Sequence, residues 1–242
     1  METHGHHLHK APGNKFWHYF FEFFMLFLAV SLGFFVENIR EHHVENERAE
    51  VLAQSLLEDL KRDTSFLHAA ITFSDKKLIA LDSILDMMHN PISQLNDTAF
   101  YRNMTPVMIS IPFISTDGTY SQMKASGSLR YFKQYLVNEM NAYSVQLKRT
   151  GYREDVEDKG IWLLADMNFN ILNLEVIADI RFNDPITHNL YLRFADKLMI
   201  DKFINLALLN KGFRLRSRSE YIEQLRIADK LLEDLQKEYY IQ

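Results

Sequence analysis

The amino-acid sequence predicts an all-α protein, in which one N-terminal transmembrane helix continues into an elongated antiparallel helical bundle with a short extended segment near residues 103–115. Two observations predict this class. A phenylalanine-dense apolar segment lies close to the N-terminus, and three later stretches without proline carry apolar residues three or four positions apart, which is the helical period. The 8 glycines and 5 prolines of the 242-residue chain are too few for the many turns of an all-β fold.

The composition excludes several classes of protein. The chain is 47% hydrophobic and 24% charged, which fits neither a disordered chain nor one embedded wholly in a membrane. It contains no cysteine, which excludes a disulfide scaffold, thiolate metal sites and a cysteine nucleophile. Its net charge of −5 argues against a broad basic face, so no nucleic-acid partner is expected.

The first element is a transmembrane helix at residues 16–36, preceded by a histidine-rich tail at residues 1–15. Of its 21 residues, 17 are apolar and 8 of these are phenylalanine. At 1.5 Å per residue the helix is roughly 31 Å long, close to the ~30 Å hydrocarbon thickness of a bilayer. Trp17 and Tyr19 lie at its N-terminal end, where membrane helices carry interfacial aromatic residues.

Two alternatives to a membrane anchor compete with this interpretation. A buried helix of a soluble protein is disfavoured, because consecutive aromatic residues leave the segment without a polar face. The small residues at 29–31 resemble a signal-peptide cleavage site, but apolar residues continue through Val36, and we interpret the segment as an uncleaved signal anchor. Two Lys or Arg residues flank it on each side. The positive-inside rule therefore hardly discriminates, and the expected cytoplasmic N-terminus rests on the shortness of the tail.

One face of the predicted membrane helix combines polar and small side chains. Helical spacing aligns along it His18, Glu22, Leu26, Ala29, Gly33 and Glu37. A carboxylate at the centre of a bilayer costs ~2.5–3.5 kcal/mol on insertion scales, whereas two small residues four positions apart allow helices to approach closely. We interpret Glu22 as a packing residue in a homo-oligomer or against a membrane-protein partner. The alternatives are a proton or cation site with His18 as titrating neighbour, and snorkelling of Glu22 towards the interface.

The remainder, residues 37–242, is expected to form one helical-bundle domain. Long amphipathic helices are predicted at about 37–89, 128–174 and 190–240, and Gly151 or Gly160 is a candidate bend in the second of them. None of these helices can bury its apolar face alone, so we expect them to pack together.

The segment between the first two of these helices has a different pattern. Val107, Ile109, Ile111 and Phe113 alternate with other residues around two prolines, which suits an extended packing segment or a short edge strand. A capping-box pattern at Thr119 then predicts a short helix that ends near Gly127.

The chain offers few residues for chemistry. Four histidines of the tail could bind a zinc, copper or nickel ion: His4, His6, His7 and His9. A tail whose histidines only add pH-dependent charge explains them as well. The basic residues at 211, 214, 216 and 218 are expected to pair with acidic neighbours such as those at 154–158. No phosphate-binding glycine loop, metal-ligating helix motif or nucleophile elbow is present. We therefore expect no cofactor and no enzymatic activity.

Two stretches of the chain carry a resemblance to a known family. The first is FFEFFMLFLAVSLGFFVENIRE, followed by AQSLLEDLKRDTSFL, and the second is Thr119-Tyr120-x-x-Met123-Lys124-x-Ser126-Gly127-x-Leu129. Together they resemble an uncharacterised family of bacterial single-pass membrane proteins, known as a domain of unknown function. Its members have an acidic residue early in the membrane helix, an acidic or amide residue at its exit and a helical remainder. Glu22 and Glu37-Asn38 match those positions; the resemblance implies this topology and no activity.

These observations lead to two functional hypotheses. The first is a non-enzymatic single-pass protein of the bacterial inner membrane, in contact with lipids, which forms a homo-oligomer or a subunit of a larger complex. Its bundle would lie in the periplasm and act as a scaffold or sensor. The alternative is a proton- or cation-conducting oligomer that uses Glu22.

Overall fold

The structure of the protein is a computed structural model, and it describes residues 15–240. This part of the chain contains six α-helices, two short 3₁₀ turns and no strand. The helices are α1 (Lys15–Met87), α2 (Asp97–Val107), α3 (Gly118–Ser126), α4 (Gln134–Ile171), α5 (Leu174–Phe182) and α6 (Lys197–Tyr239). The predicted all-α class, with a long N-terminal helix and a bundle after it, is confirmed.

The described part of the chain divides into two compact units, one that ends at residue 50 and one that begins at residue 51. In the first unit, α1 begins with the phenylalanine-dense segment. Within the described residues α1 is the one helix that is by itself long and apolar enough to cross a membrane. Its most apolar window has a mean hydropathy of 2.1 and is 0% buried.

In the second unit, the part of α1 from residue 51 onward packs with α4 and α6. Two cross-links between α1 and α4 fix their relative direction. The Tyr143 hydroxyl donates to Asp63, and Lys77 pairs with Glu157, and the two partners are 80 residues apart in both cases. Because the sequence separation is the same for both pairs, moving along α1 towards its C-terminus also means moving along α4 towards its C-terminus. The two helices therefore run parallel.

α6 runs in the opposite direction. Gln146 on α4 contacts Glu220, whereas Glu157, further along α4, contacts Arg214. The expected antiparallel packing therefore holds for α6 against both partners but not for α1 against α4. The physical reason is the connection between α1 and α4, which returns along α1 before α4 begins.

That return includes an extended segment, residues 109–117, which we call the strap. Its Ile109 carbonyl lies at Lys77 and its Thr116 amide lies at Asp63, so the strap runs antiparallel to α1. The sequence placed the extended segment near 103–115. Residues 103–107 instead complete α2, because Phe100, Met104 and Val107 share one buried face. The alternative of an edge strand does not form among the described residues.

The core of the second unit consists of two large apolar clusters with a polar layer between them, and of a small third cluster formed by Leu67, Phe113 and Tyr221. The first cluster includes Leu57, Leu60, Met140 and Leu231, and the second includes Leu81, Leu164, Ile171 and Phe203. Between them, all three long helices contribute buried polar side chains, which we call the polar layer: Asp63, Ser74, Lys77, Gln146, Thr150, Glu157, Asn210, Arg214, Ser217 and Gln224.

Candidate functional site

The residues predicted to face a partner in the membrane all lie on the first unit of α1. The helix is unbroken there, so the predicted stripe exists as one face, and its side chains are exposed: His18, Glu22, Leu26, Ala29, Gly33 and Glu37. A Cβ added at Gly33 would meet no atom within 4 Å. This face is therefore open to a neighbouring helix.

The aromatic side chains of this unit occupy the other faces and contact one another along the helix. Phe20 stacks on Phe24 with ring centroids 6.2 Å apart, and Phe23 stacks on Phe27 at 6.5 Å. Trp17 packs its edge against Phe20 at 5.7 Å. Aromatic rings one turn apart form a continuous apolar surface of the kind that acyl chains contact.

Glu22 is the acidic residue within this apolar segment. Its side chain is exposed, and no hydrogen bond or ion pair joins it to any residue between 15 and 240. His18 precedes it by one turn but contacts the ring of Tyr19. In a bilayer, an outward carboxylate needs a proton, a polar partner or a route to the interface.

Glu37 marks the end of the apolar segment. Arg40 donates to it through two nitrogens, at 3.0 Å and 2.5 Å. This hydrogen-bonded pairing with Arg40 holds the pKa of Glu37 below its usual value. One turn further on, His43 and Glu47 form an exposed i,i+4 pair at 3.4 Å. The helix thus passes from an apolar surface to a charged one within two turns.

The metal hypothesis concerned the tail. His4, His6, His7 and His9 lie outside the described residues. Within residues 15–240, no group of three or more His, Asp or Glu side chains is arranged to hold a metal ion.

In the second unit, three charged side chains meet in the middle of the polar layer. The Lys77 amine lies 3.3 Å from Oε1 of Glu157, and the Arg214 guanidinium contacts the same oxygen. The three side chains are 0%, 3% and 3% exposed. Arg214 also donates to the Ser74 hydroxyl at 3.1 Å.

This cluster buries two cations against one carboxylate. Burial, together with the neighbouring charge of Arg214, lowers the pKa of Lys77 to about 8, and the attraction of Glu157 only partly offsets this. Removing both members of a buried ion pair from water costs several kcal/mol per ion, so such pairs add little net stability. The cluster therefore indicates how the three long helices are positioned against one another, and it says little about the net stability of the bundle.

A second carboxylate, which is half-buried, lies one turn earlier on α4. Oε1 of Glu154 accepts from the Tyr221 hydroxyl at 2.5 Å and from the Phe113 amide at 2.7 Å. Burial raises the pKa of Glu154 despite these donors. Burial and the nearby carboxylate also raise the pKa of Tyr221, which keeps its phenol protonated as a donor.

Two aspartates of α1 hold the far end of the strap. Asp63 accepts from the Ser115 hydroxyl at 2.5 Å and from the Thr116 amide at 2.7 Å. Asp59 accepts from the Thr119 amide at 3.2 Å, which fixes the start of α3. Residues 53–67, the later part of the first stretch quoted for the family resemblance, thus contact residues 119–129, the second stretch.

The outer side of the strap forms one wall of an apolar groove. The groove has a volume of about 420 Å³ and is lined by Phe66, Ala69, Ala70, Phe73, Ile111, Pro112, Phe113 and Ile114. Ile111 and Ile114 are more than half exposed, whereas Phe113 is buried against Leu67 and Tyr221. The strap therefore separates an apolar surface from the charged groups beneath it.

The sequence indicated part of this arrangement. The expected pairing of the basic residues near 214 with acids at 154–158 is confirmed for Arg214 and Glu157. Lys211 and Arg218 instead pair with Asp82 and Asp75 on α1.

Sequence analysis missed Lys77 and Asp63. Both stand at core positions of α1, in register with Leu60, Leu67 and Leu81. A charged residue within an otherwise apolar helical stripe is the signal that could have identified them.

Comparison of the chain with protein-family models, curated proteins and solved structures found no match.

Proposed function

We propose that the protein is a single-pass membrane protein that self-associates through the Glu22 face of its N-terminal helix. One observation carries this proposal: Glu22 is exposed and unpaired on a helix segment that is itself 0% buried. A second copy, placed face to face, supplies the carboxyl group with a polar partner. That contact relieves part of the cost of a carboxylate in hydrocarbon, which is ~2.5–3.5 kcal/mol at the bilayer centre and less towards the interface.

The small residues on the same face support close helix approach. Ala29 and Gly33 are four residues apart, and small residues at this spacing let two backbones pack tightly in lipid. Their position beside Glu22 brings the polar and the packing contributions together. A different membrane-protein partner with a matching small-residue face fits the same geometry.

In this proposal the second unit has no enzymatic role and serves as a scaffold or sensor. The charged cluster of Lys77, Glu157 and Arg214 is buried, and the Lys77 amine, which has a lowered pKa, is 0% exposed. We place the protein in the bacterial inner membrane with the second unit in the periplasm. Labelling of Ser219→Cys, at an exposed position on α6, with a membrane-impermeant maleimide in intact cells tests that orientation.

Single-cysteine crosslinking tests self-association, because the chain contains no cysteine of its own. Ala29→Cys lies on the Glu22 face, whereas Ser31→Cys is a matched control about half a helical turn away on the same helix. In membranes under an oxidising catalyst, we expect a disulfide-linked dimer for Ala29→Cys and little for Ser31→Cys. Equal dimer from both variants, or none from Ala29→Cys, contradicts the proposal.

A second candidate function is proton or cation conduction by the oligomer. Its motivating observation is that Glu22 and His18, both titratable, lie one turn apart on the same exposed face. Ion flux into liposomes, compared for wild type and Glu22→Gln, tests it. Flux that is lost in Glu22→Gln supports conduction, whereas equal flux in both, or none in either, rules it out.

A further inference from the structure

The strap differs from the rest of the second unit in how its backbone is held. From Ser110 to Thr116, no hydrogen bond joins it to another backbone group within residues 15–240. Side chains hold it instead: Lys77 donates to the Ile109 carbonyl at 3.1 Å, and Glu154 accepts from the Phe113 amide at 2.7 Å. Segments held without regular backbone pairing open at lower free energy than helices do.

The side chains beneath the strap are groups that gain from contact with water. Lys77 and Glu157 are 0% and 3% exposed, and Glu154 is held between the strap and α6. Burying these charges carries a desolvation cost that their hydrogen bonds only partly offset. Lifting the strap would return water to Lys77 and Glu154 without separating the three long helices.

We propose that the strap opens locally while the three-helix bundle stays folded, and that opening exposes Lys77 and Glu154 to solvent. The wall of the apolar groove moves with it, since Ile111 and Ile114 belong to the strap. Phe113, the one strap residue with a buried side chain, leaves its contacts with Leu67 and Tyr221 in the open state.

The pH dependence of opening depends on the charged groups around these two side chains. Lys77 faces Glu157 and Asp158 from α4 and Arg214 from α6, and its strap contact is an uncharged carbonyl. Glu154 faces Tyr221 and Arg214 from α6, with Glu157 on its own helix and the uncharged Phe113 amide on the strap.

For Lys77, the closed state lowers the pKa to about 8, from 10.5 for a solvated lysine. Between these values the open state binds more protons, so raising the pH disfavours opening. Because Arg214 stays beside Lys77 when the strap opens, 10.5 is the upper limit for the open state, and the opening equilibrium falls by up to about tenfold between pH 7 and pH 9.

For Glu154, the closed state shifts the pKa upward and not downward, and the shift acts in acidic solution and not in alkaline solution. The closed state raises the pKa, so that it binds more protons than the open state in mildly acidic solution. Lowering the pH through that pKa therefore also disfavours opening. Opening is then greatest near neutral pH, where both side chains are charged.

Hydrogen–deuterium exchange of the full-length protein in lipid nanodiscs tests this inference. Millisecond labelling from pH 5 to pH 9.5, corrected for intrinsic exchange rates, gives the protection of peptides that cover the strap and, for comparison, of peptides from α4. We expect strap protection to be lower than that of α4 and lowest near neutral pH, rising by up to about tenfold between pH 7 and pH 9. Protection equal to that of α4, or highest near neutral pH, overturns the proposal.

Strap protection is expected to rise on both sides of neutral pH, as an alkaline limb and an acidic limb of the pH profile. Two variants test which side chain causes each limb. Lys77→Met is expected to flatten the alkaline limb, and Glu154→Gln the acidic limb. Exposed neighbours provide matched controls, Lys76→Met and Asp155→Asn, which should leave the profile unchanged. Retention of both limbs in Lys77→Met and Glu154→Gln contradicts the mechanism. If either variant fails to fold, the wild-type profile still decides whether the strap opens as proposed.

Discussion

The hydroxyl of Tyr143 on α4 donates a 2.5 Å hydrogen bond to Oδ2 of Asp63 on α1. Asp63 is 1% exposed, and the same oxygen accepts from the Ser115 hydroxyl of the strap. One buried carboxylate therefore connects three segments that are far apart in the chain. Burial raises the pKa of Tyr143, as does the hydrogen bond to Asp63, so the phenol remains a donor throughout the physiological range.

Removing this donor should destabilise the bundle. Tyr143→Phe keeps the ring but leaves the buried Asp63 with one donor fewer, and we expect a loss of about 1–2 kcal/mol in the free energy of unfolding. Chemical denaturation in detergent, followed by circular dichroism, measures it. Tyr135→Phe is the matched control, because the Tyr135 hydroxyl donates to Glu238 at the surface. Equal losses from the two variants would show that burial of Asp63 is not the cause.

Lys77, Glu157 and Arg214 form a cluster of three buried charges, and substitutions of its members should destabilise the protein to different extents. Glu157 is the carboxylate that pairs with both Lys77 and Arg214. Glu157→Gln leaves two buried cations uncompensated and should cost about 3–5 kcal/mol of stability. Lys77→Met leaves a one-to-one pair and should cost clearly less.

The same denaturation experiment, run on both variants, checks this order. A surface pair gives the control, since Asp82 and its partner Lys211 are both partly exposed. Asp82→Asn should change the free energy of unfolding by about 0–1 kcal/mol. A larger loss from Lys77→Met than from Glu157→Gln would mean that the lysine, and not the shared carboxylate, holds the cluster together.

His188, in the loop between α5 and α6, forms an ion pair with Asp179 of α5 that should respond to pH. Nδ1 of His188 lies 2.9 Å from Oδ2 of Asp179, which also accepts from the Thr187 amide at 3.3 Å. Hydrogen bonding to Asp179 raises the pKa of His188, and the same contact lowers the pKa of Asp179.

The sign of the effect follows from these two directions. The contribution of His188 is fully present below the ordinary histidine pKa of about 6.5 and is lost as pH rises through its raised value. The contribution of Asp179 is lost as pH falls through its lowered pKa. An NMR titration of the His188 ring measures the first, and Asp179→Asn should return the midpoint towards the ordinary value. An unchanged midpoint in Asp179→Asn would exclude the contact as its cause.

Periodicity predicted the long helices but not their directions. Apolar residues three or four apart identify a buried face, whereas the parallel course of α1 and α4 depends on the strap returning along α1. The strap is held by single polar side chains, such as those of Asp63 and Glu154. A search for apolar residues at helical spacing does not detect them.

The short helix α2 was missed for a related reason. Pro106 lies in the last turn of this helix, and Asn96 caps its start by accepting from the Ala99 amide at 3.0 Å. The buried face of Phe100 and Met104 outweighs the loss of one backbone donor at the helix end. The candidate membrane face could be predicted because it requires only α-helical spacing within one uninterrupted helix.

α4 continues without interruption through Gly151 and Gly160, the two glycines considered as bends. Substituting them by alanine should have opposite effects on stability. A Cβ at Gly160 would lie 2.7 Å from Cδ2 of Phe213 on α6, whereas a Cβ at Gly151 meets nothing within 4 Å. Gly160→Ala should therefore cost about 1–3 kcal/mol, because the Phe213 ring must shift. Gly151→Ala should add about 0.5–1 kcal/mol through its higher helix propensity. Thermal or chemical denaturation of the two variants checks the opposite signs, and Phe213→Leu should restore part of the loss in Gly160→Ala if the ring is its cause.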